Sequence, residues 1–272
     1  MIALLINGEP AADIAHAISA ADRGLQYGDG VFETMRLYSG EVQYWQDHYA
    51  RLQAGCVRLG IAVPTLDVCG NDIAKLATHA PNAVVKLMVT RGVGGRGYRP
   101  TAGLDTTRIT SLHPLPSAQP EGGIAVRWCT TRWARNPQLA GIKHLNRLEQ
   151  VLAQNEWHDE IIAEGLMSDT EGELISATAA NVFIVSGNVL ATPDLRYCGI
   201  RGVMRKRVLM TAVTLGIRIE ERALWPRDLL SAQEVFITNA IRGIRYVRTL
   251  LEERHWQLGP VTQRIISQLT LP

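Results

Sequence analysis

Phenylalanine and cysteine are scarce in this chain, three and four residues in 272, and no long apolar run occurs in it. The cysteines, Cys56, Cys69, Cys129 and Cys198, lie far apart with no C-x-x-C pair. That spacing excludes a disulfide framework and a zinc ribbon and fits a reducing compartment. No apolar segment approaches the ~18 residues needed to span a bilayer. The opening "MIALLINGEPAAD" is only briefly apolar, lacks a basic flank and is interrupted by Gly8 and Pro10, so no signal peptide is expected. The expectation is a cytoplasmic protein with no place in a membrane. An excess of one charge is lacking too: 28 Lys and Arg stand against 26 Asp and Glu, with no basic run interleaved with aromatics. Nucleic acid is therefore not an expected partner. Neither G-x-S-x-G nor H-E-x-x-H occurs, and the seven histidines form no ligand spacing, so neither a serine elbow nor a metal site is expected.

What is present is ordinary globular composition, 46% hydrophobic and 20% charged, in a chain long enough for two domains. "ALLINGEP" predicts a strand and turn, and "GDGVFETMRLYSGEVQYW" predicts two strands joined at Ser-Gly. In "QDHYARLQAGCVRLGI", Tyr49, Leu52, Cys56 and Leu59 recur at helical spacing up to Gly60. "AVVKLMVTRG" and "TTRITSL" predict buried strands, rich in β-branched residues. The segment 113–123, "HPLPSAQPEGG", holds three prolines and two glycines and is the expected linker. Beyond it come the strand "IAVRWCTT", a helix led by Lys143, and successive strands from 165 to 192. A helix over "RGVMRKRVLMTAVTLG", strand and loop in "QEVFITNAIRGIRYV" and a closing helix "PVTQRIISQL" follow. Without a regular βαβ beat, the pattern predicts an α+β protein of two domains, 1–112 and 124–272.

"GVGGRG" at 92–97 satisfies G-x-G-x-x-G, but "YRPTAG" follows, and Pro100 forbids the uninterrupted helix that a dinucleotide site needs. A loop beside a ligand is expected there, with Arg91, Arg96 and Arg99 able to meet carboxylates. "CGIRGVMRKRV" puts two glycines before a helical run, so the N–H groups around Gly202, Val203 and Met204 suit a phosphate; a plain glycine-rich loop fits the same pattern. Arg51 in "HYARL" sits near the apolar side of its helix and either meets an anion or snorkels to solvent. "FITNAIRG" ends a buried strand with Asn239 and Ala240, a polar turn that offers further N–H donors. Lys143 precedes a run in which Leu145, Leu148 and Leu152 recur at helical spacing. It is either a solvated lysine or an amine held for chemistry. A lysine with a phosphate cradle suggests pyridoxal phosphate as one option among several.

"DRGLQYGDGVFETMR", "HYARLQAGCVRLGI", "TRGVGGRGY", "RNPQLAGIKHLNRLEQVLA", "ATAANVF", "GIRGVMR" and "ITNA" occur in that order. Together they resemble the aminodeoxychorismate lyase family of the fold-type IV pyridoxal phosphate enzymes, across nearly the whole chain. The resemblance implies a smaller N-terminal α/β domain, a larger C-terminal β-barrel-like domain with helices, a homodimer, and pyridoxal 5'-phosphate as cofactor. By position, Lys143 matches the lysine that binds the cofactor aldehyde as a Schiff base, and Arg51 matches the phosphate-binding arginine. Val203 and Met204 fall where the family places backbone N–H groups on the phosphate, with Asn239 and Ala240 on its other side. The implied reaction converts 4-amino-4-deoxychorismate to 4-aminobenzoate and pyruvate, in folate biosynthesis. Lys143 would move the proton, Thr34 in "FETMR" would assist, and Arg91 and Arg96 would meet the substrate carboxylates.

One position departs from the family. Its members usually carry a glutamate against the pyridine nitrogen, five residues before the asparagine of an "NLF"-like triplet. Here that triplet is "NVF", and the position holds Ser176. Glu173, three residues earlier, falls on the opposite face of a strand. The expectation is Ser176 at the ring nitrogen and a weaker electron sink. The runner-up reading is a fold-type IV transaminase acting on D-amino or branched-chain substrates, which would need the stronger sink. A non-catalytic pyridoxal phosphate carrier is a third.

Overall fold

The structure, a computed structural model, describes residues 1–11, 13, 17–117, 122–251 and 253–269. The chain divides into two units, Met1–Ser117 with Ile142–Asn146, and Ala118–Gly141 with Arg147–Pro272. The protein is a two-domain α+β protein.

The first unit holds β1 (Ala3–Ile6), β2 (Glu9–Pro10), α1 (Arg23–Tyr27), β3 (Gly30–Tyr38), β4 (Glu41–Val42), α2 (Trp45–Leu59), α3 (Leu66–Ala77), β5 (Ala83–Thr90) and β6 (Thr107–His113). Its strands form one sheet in the order β2-β1-β6-β5-β3-β4, antiparallel throughout. The two tightest turns read directly from the sequence. Asn7 and Gly8, then Ser39 and Gly40, all take positive φ, as type I′ hairpin loops require. In β3, Val31, Glu33, Met35 and Leu37 alternate into the buried face, and Leu52 and Cys56 of α2 with Cys69, Ile73 and Leu76 of α3 belong to the same core. Helix α3 follows its Thr65 cap, whose Oγ1 accepts from the Val68 N–H at 3.3 Å, and had no counterpart in the sequence analysis.

The second unit holds β7 (Ile124–Trp128), α4 (Leu148–Gln154), β8 (Ile162–Ser168), β9 (Leu174–Ala177), β10 (Asn181–Ser186), β11 (Val189–Pro193), α5 (Val203–Thr214), β12 (Arg218–Arg222), α6 (Pro226–Ser231), β13 (Glu234–Asn239), β14 (Gly243–Leu250), β15 (Arg254–His255) and α7 (Pro260–Leu269). Among the described residues its nine strands form one sheet, β12-β11-β10-β13-β14-β7-β8-β9 with β15 on β14, curled into a half-barrel. Both faces of its middle are buried, so "NVFIV" in β10 is continuously buried and apolar from Val182 on. Val182 and Ile184 join one core. Phe183 stacks on Phe236 at 4.9 Å in another, with α5 and α7.

The expectations around Lys143 need correcting. The helix expected to open at Lys143 begins only at Leu148, because residues 143–145 pair with the edge of β3 instead. Leu148 and Leu152, read as an apolar stripe, are exposed. Of the expected linker, His113 ends β6, and residues 118–121 lie outside the described residues. The segment Ile142–Asn146 groups with the first unit although it lies beyond that linker.

Candidate active site

At its Gly30 end β3 has a free edge, since β4 pairs only with Leu37 and Tyr38. Residues 143–145 occupy that edge. The Phe32 amide donates to the Lys143 carbonyl at 2.9 Å, the Leu145 amide donates to the Gly30 carbonyl at 3.0 Å, and Val31 bridges to His144. The pairing puts Lys143 on the same face as Phe32, with its Nζ 4.1 Å from the centre of that ring. Thr34 follows on this face two residues on, opposite Lys86, whose own Nζ lies 5.5 Å from the Phe32 ring. A side chain on Gly30 would meet the Val89 carbonyl at 2.6 Å and Leu145 at 2.7 Å, so the close approach of the lysine segment needs a glycine there.

On the opposite face Glu33 is buried, and Arg51 donates to it twice, Nε to Oε1 at 2.7 Å and Nη2 to Oε2 at 2.5 Å. His48 Nδ1 lies 2.6 Å from the same Oε2. Burial alone would push the Glu33 carboxyl up. The Arg51 charge and hydrogen bonds, with those of His48, outweigh burial and hold it at about 2, so the carboxylate is ionised and His48 is the donor. The anion that Arg51 required is thus in part Glu33. Its signal in the sequence was a charged residue inside the buried alternation of Val31, Met35 and Leu37.

Arg91 is held by contacts within its own unit. Its Nε and Nη2 donate to Asp29 at 2.7 and 3.0 Å, and Nη1 and Nη2 donate to the Gly60 and Leu59 carbonyls at 2.6 Å each. Four of its five N–H groups are thus engaged, two with Asp29 and two with the carbonyls at the end of α2. Burial raises the Asp29 carboxyl, but Arg91 and Arg23 together lower it below the usual value. Arg96 is exposed and, among the described residues, makes no hydrogen bond or ion pair. No helix opens in 92–97; Arg23 holds that loop by donating to the Gly97 and Tyr98 carbonyls, 2.9 Å each.

In the second unit α5 begins at Gly202 with no side-chain cap and no acidic residue in its first turn, so the positive end of a twelve-residue helix is left for an anion. A Cβ on Gly202 would lie 2.1 Å from Asn181 Oδ1, and Asn181 Nδ2 donates to the Ile200 carbonyl at 2.8 Å. Asn181 therefore fixes the loop that leads to Val203 and Met204. Asn239 ends β13 and donates from Nδ2 to the Ala179 carbonyl at 3.2 Å. The stretch 179–181 thus ties the α5 start and the Asn239–Ala240 turn together. Asn239 Oδ1 accepts the N–H groups of Ile241 and Arg242, so those two donors are engaged within the turn. Ser176, 5% exposed, accepts from Trp133 Nε1 at 3.1 Å. The four cysteines are buried thiols, each pushed up to about 11 or 12 chiefly by burial, and none is poised as a nucleophile. No group of metal-ligating side chains occurs among the described residues.

These features fit pyridoxal phosphate: a lysine amine on a fixed strand edge, an uncapped helix start that a Cβ would fill, and a braced arginine. The Amino-transferase class IV family pattern matches residues 30–250. The chain belongs to that family. As a class IV aminotransferase family member it depends on pyridoxal phosphate. It is similar to an aminodeoxychorismate lyase of Vibrio harveyi, 32% identical over 97% of this chain and 98% of the relative. A putative branched-chain-amino-acid aminotransferase of Methanocaldococcus jannaschii is also 32% identical, over 89% of this chain and 85% of the relative. The crystal structure of 4-amino-4-deoxychorismate lyase from Pseudomonas aeruginosa superposes with a TM-score of 0.91 at 40% identity, covering 97% of both chains.

Proposed function

We propose that this class IV family member converts 4-amino-4-deoxychorismate to 4-aminobenzoate and pyruvate, a step that supplies folate synthesis. The observation that carries this reading is 40% identity to a lyase across 97% of both chains. When bound, pyridoxal phosphate supplies an aldehyde that takes up an amine and a ring that accepts electron density. Lys143 holds that aldehyde through Nζ. Arg51, braced by Glu33 and His48, would hold the phosphate, a role that the N–H groups of Val203 and Met204 at the α5 start would share. The Asn239–Ala240 turn would supply further contacts to it. Ser176 meets the pyridine nitrogen.

Lys143 Nζ would take the proton from the substrate ring carbon that bears the nitrogen. It returns that proton to the methylene carbon of the leaving enolpyruvate as the neighbouring C–O bond breaks. The substrate's atoms are thereby divided between 4-aminobenzoate and pyruvate with no further reactant. Aromatisation of the ring drives the step, which makes the serine at 176 tolerable. Thr34 assists from the Phe32 face, and Arg96, with its guanidinium uncommitted, meets a substrate carboxylate.

A coupled assay that follows pyruvate through lactate dehydrogenase tests the reading; no pyruvate release from aminodeoxychorismate would end it. The family's transaminases supply the alternative, for which an amino acid and 2-oxoglutarate should give glutamate. Ser176 disfavours that reaction, because a hydroxyl stabilises a pyridinium less than a carboxylate does. Among the described residues no helix is long and apolar enough to cross a membrane. A cytoplasmic homodimer belongs to the same proposal, and a sedimentation mass of one chain would remove the dimer from it.

A further inference from the structure

Among the described residues the Ser176 hydroxyl proton has no acceptor. Among the described residues its side chain makes one hydrogen bond, and in that bond it accepts, from the Trp133 indole N–H at 3.1 Å. A hydroxyl has one donor and two acceptor sites, and a buried donor left without an acceptor costs about 1–3 kcal/mol. Ser176 is 5% exposed, so water does not relieve this readily. The indole is held in place. The Trp133 amide donates to the Ser168 carbonyl at 3.0 Å, and its own carbonyl accepts from Thr170 at 3.1 Å. The Arg147 guanidinium lies 5.3 Å from the indole centre, and a cation over that face makes the N–H a stronger donor.

The nearby carboxylates are committed elsewhere. Asp169 is paired with Arg135 at 2.6 Å and accepts the Glu171 and Glu173 amides. Glu173 pairs with Arg135 at 3.0 Å, and Glu149 accepts the Ala134 amide at 2.9 Å. Glu164 is held by Arg245 and Thr178.

Resting on the reading of Ser176 given above, we infer that Trp133 and Ser176 form a two-step relay, indole N–H to hydroxyl and hydroxyl to cofactor, that holds the pyridine nitrogen in its neutral, hydrogen-bond-accepting form. Trp133 is a positioning residue: by filling an acceptor site on Oγ it turns the hydroxyl proton toward the ring. No proton leaves Ser176 and none is added to the ring.

The test is the pyridine ¹⁵N resonance of the holoenzyme loaded with ¹⁵N-labelled pyridoxal phosphate. Protonation moves that signal far upfield, and accepting a hydrogen bond moves it a smaller way in the same direction. The wild type is expected in the unprotonated range, displaced modestly upfield of Ser176→Ala, and insensitive to pH through neutrality. Trp133→Phe keeps the packing but removes the donor, and its signal should fall between those two. A pyridinium signal in the wild type overturns the inference, as does a Ser176→Ala signal that does not move. A Trp133→Phe signal identical to wild type removes Trp133 from the relay. Borohydride reduction of the same sample followed by peptide mapping separates the two levels: label on Lys143 keeps the proposed function whatever the nitrogen does, and label elsewhere ends both.

Discussion

Lys143 and Phe32 are joined twice, by the Phe32 amide on the Lys143 carbonyl at 2.9 Å and by the Lys143 ammonium 4.1 Å from the Phe32 ring. The backbone bond fixes the segment and the ring fixes the direction of the amine. Replacing Lys143 with alanine should leave folding largely intact, since the pairing with β3 is made by the main chain. Pyruvate release should fall by at least the ~10²–10⁴-fold that a positioned proton-transfer group contributes. Full activity in the alanine variant would remove Lys143 from the chemistry.

Glu33 and Arg51 separate structure from binding. Arg51→Gln strips the charge from a buried pair and should destabilise the apoprotein by about 3–5 kcal/mol. Adding Glu33→Gln removes the stranded charge, so stability in urea should return in part while cofactor affinity stays low. If affinity returns with stability, Arg51 does not hold the phosphate.

The same pair sets a pH dependence. The Glu33 carboxyl lies at about 2 in the folded protein against 4.5 for an ordinary glutamate, so between those values the unfolded chain binds the proton more tightly. The stabilisation is complete above about 4.5 and is lost as pH falls toward 2, on the order of 3 kcal/mol in all. Acid unfolding followed by circular dichroism should show a shallower fall in the Glu33→Gln variant.

Much of this was legible in the chain because local chemistry and burial agree there. The Asn7-Gly8 and Ser39-Gly40 turns, the α2 stripe ending at Gly60 and the run "NVFIV" all formed as their residues dictate. What misled was the region after Lys143. Leu145, Leu148 and Leu152 have helical spacing, but the free edge of β3 offers residues 143–145 hydrogen bonds that a helix start would leave unmade. Helix α3 has local signals of its own, the Thr65 cap and the spacing of Cys69, Ile73 and Leu76. Arg91, Glu33 and Trp133 depend on partners 18 to 62 residues away in the chain, which no local pattern encodes.

Arg91 and Arg96 should part company under mutation. Arg91→Ala unmakes the Asp29 pair and the α2 cap, so it should lower thermal stability while KM for aminodeoxychorismate in the folded enzyme stays near wild type. Arg96→Ala should raise KM by about tenfold or more, the effect of losing a charge-assisted hydrogen bond worth about 1.5–3 kcal/mol, and leave stability unchanged. The reverse pattern would return the carboxylate to Arg91.

Gly202 stands where the fold meets the proposed phosphate site. An added Cβ would stand 2.1 Å from Asn181 Oδ1, the side chain whose amide holds the Ile200 carbonyl, so the loop or the asparagine must move. Gly202→Ala should therefore cost about 1–3 kcal/mol of apoprotein stability, the usual range for overpacking. Its effect on binding should depend on the phosphate. Wild type should bind pyridoxal phosphate far more tightly than pyridoxal, and the alanine variant should lose most of that preference because the N–H groups of Val203 and Met204 no longer converge. Titrating both compounds into both proteins measures the ratio. A preference unchanged by the substitution would mean that the phosphate sits somewhere other than the start of α5.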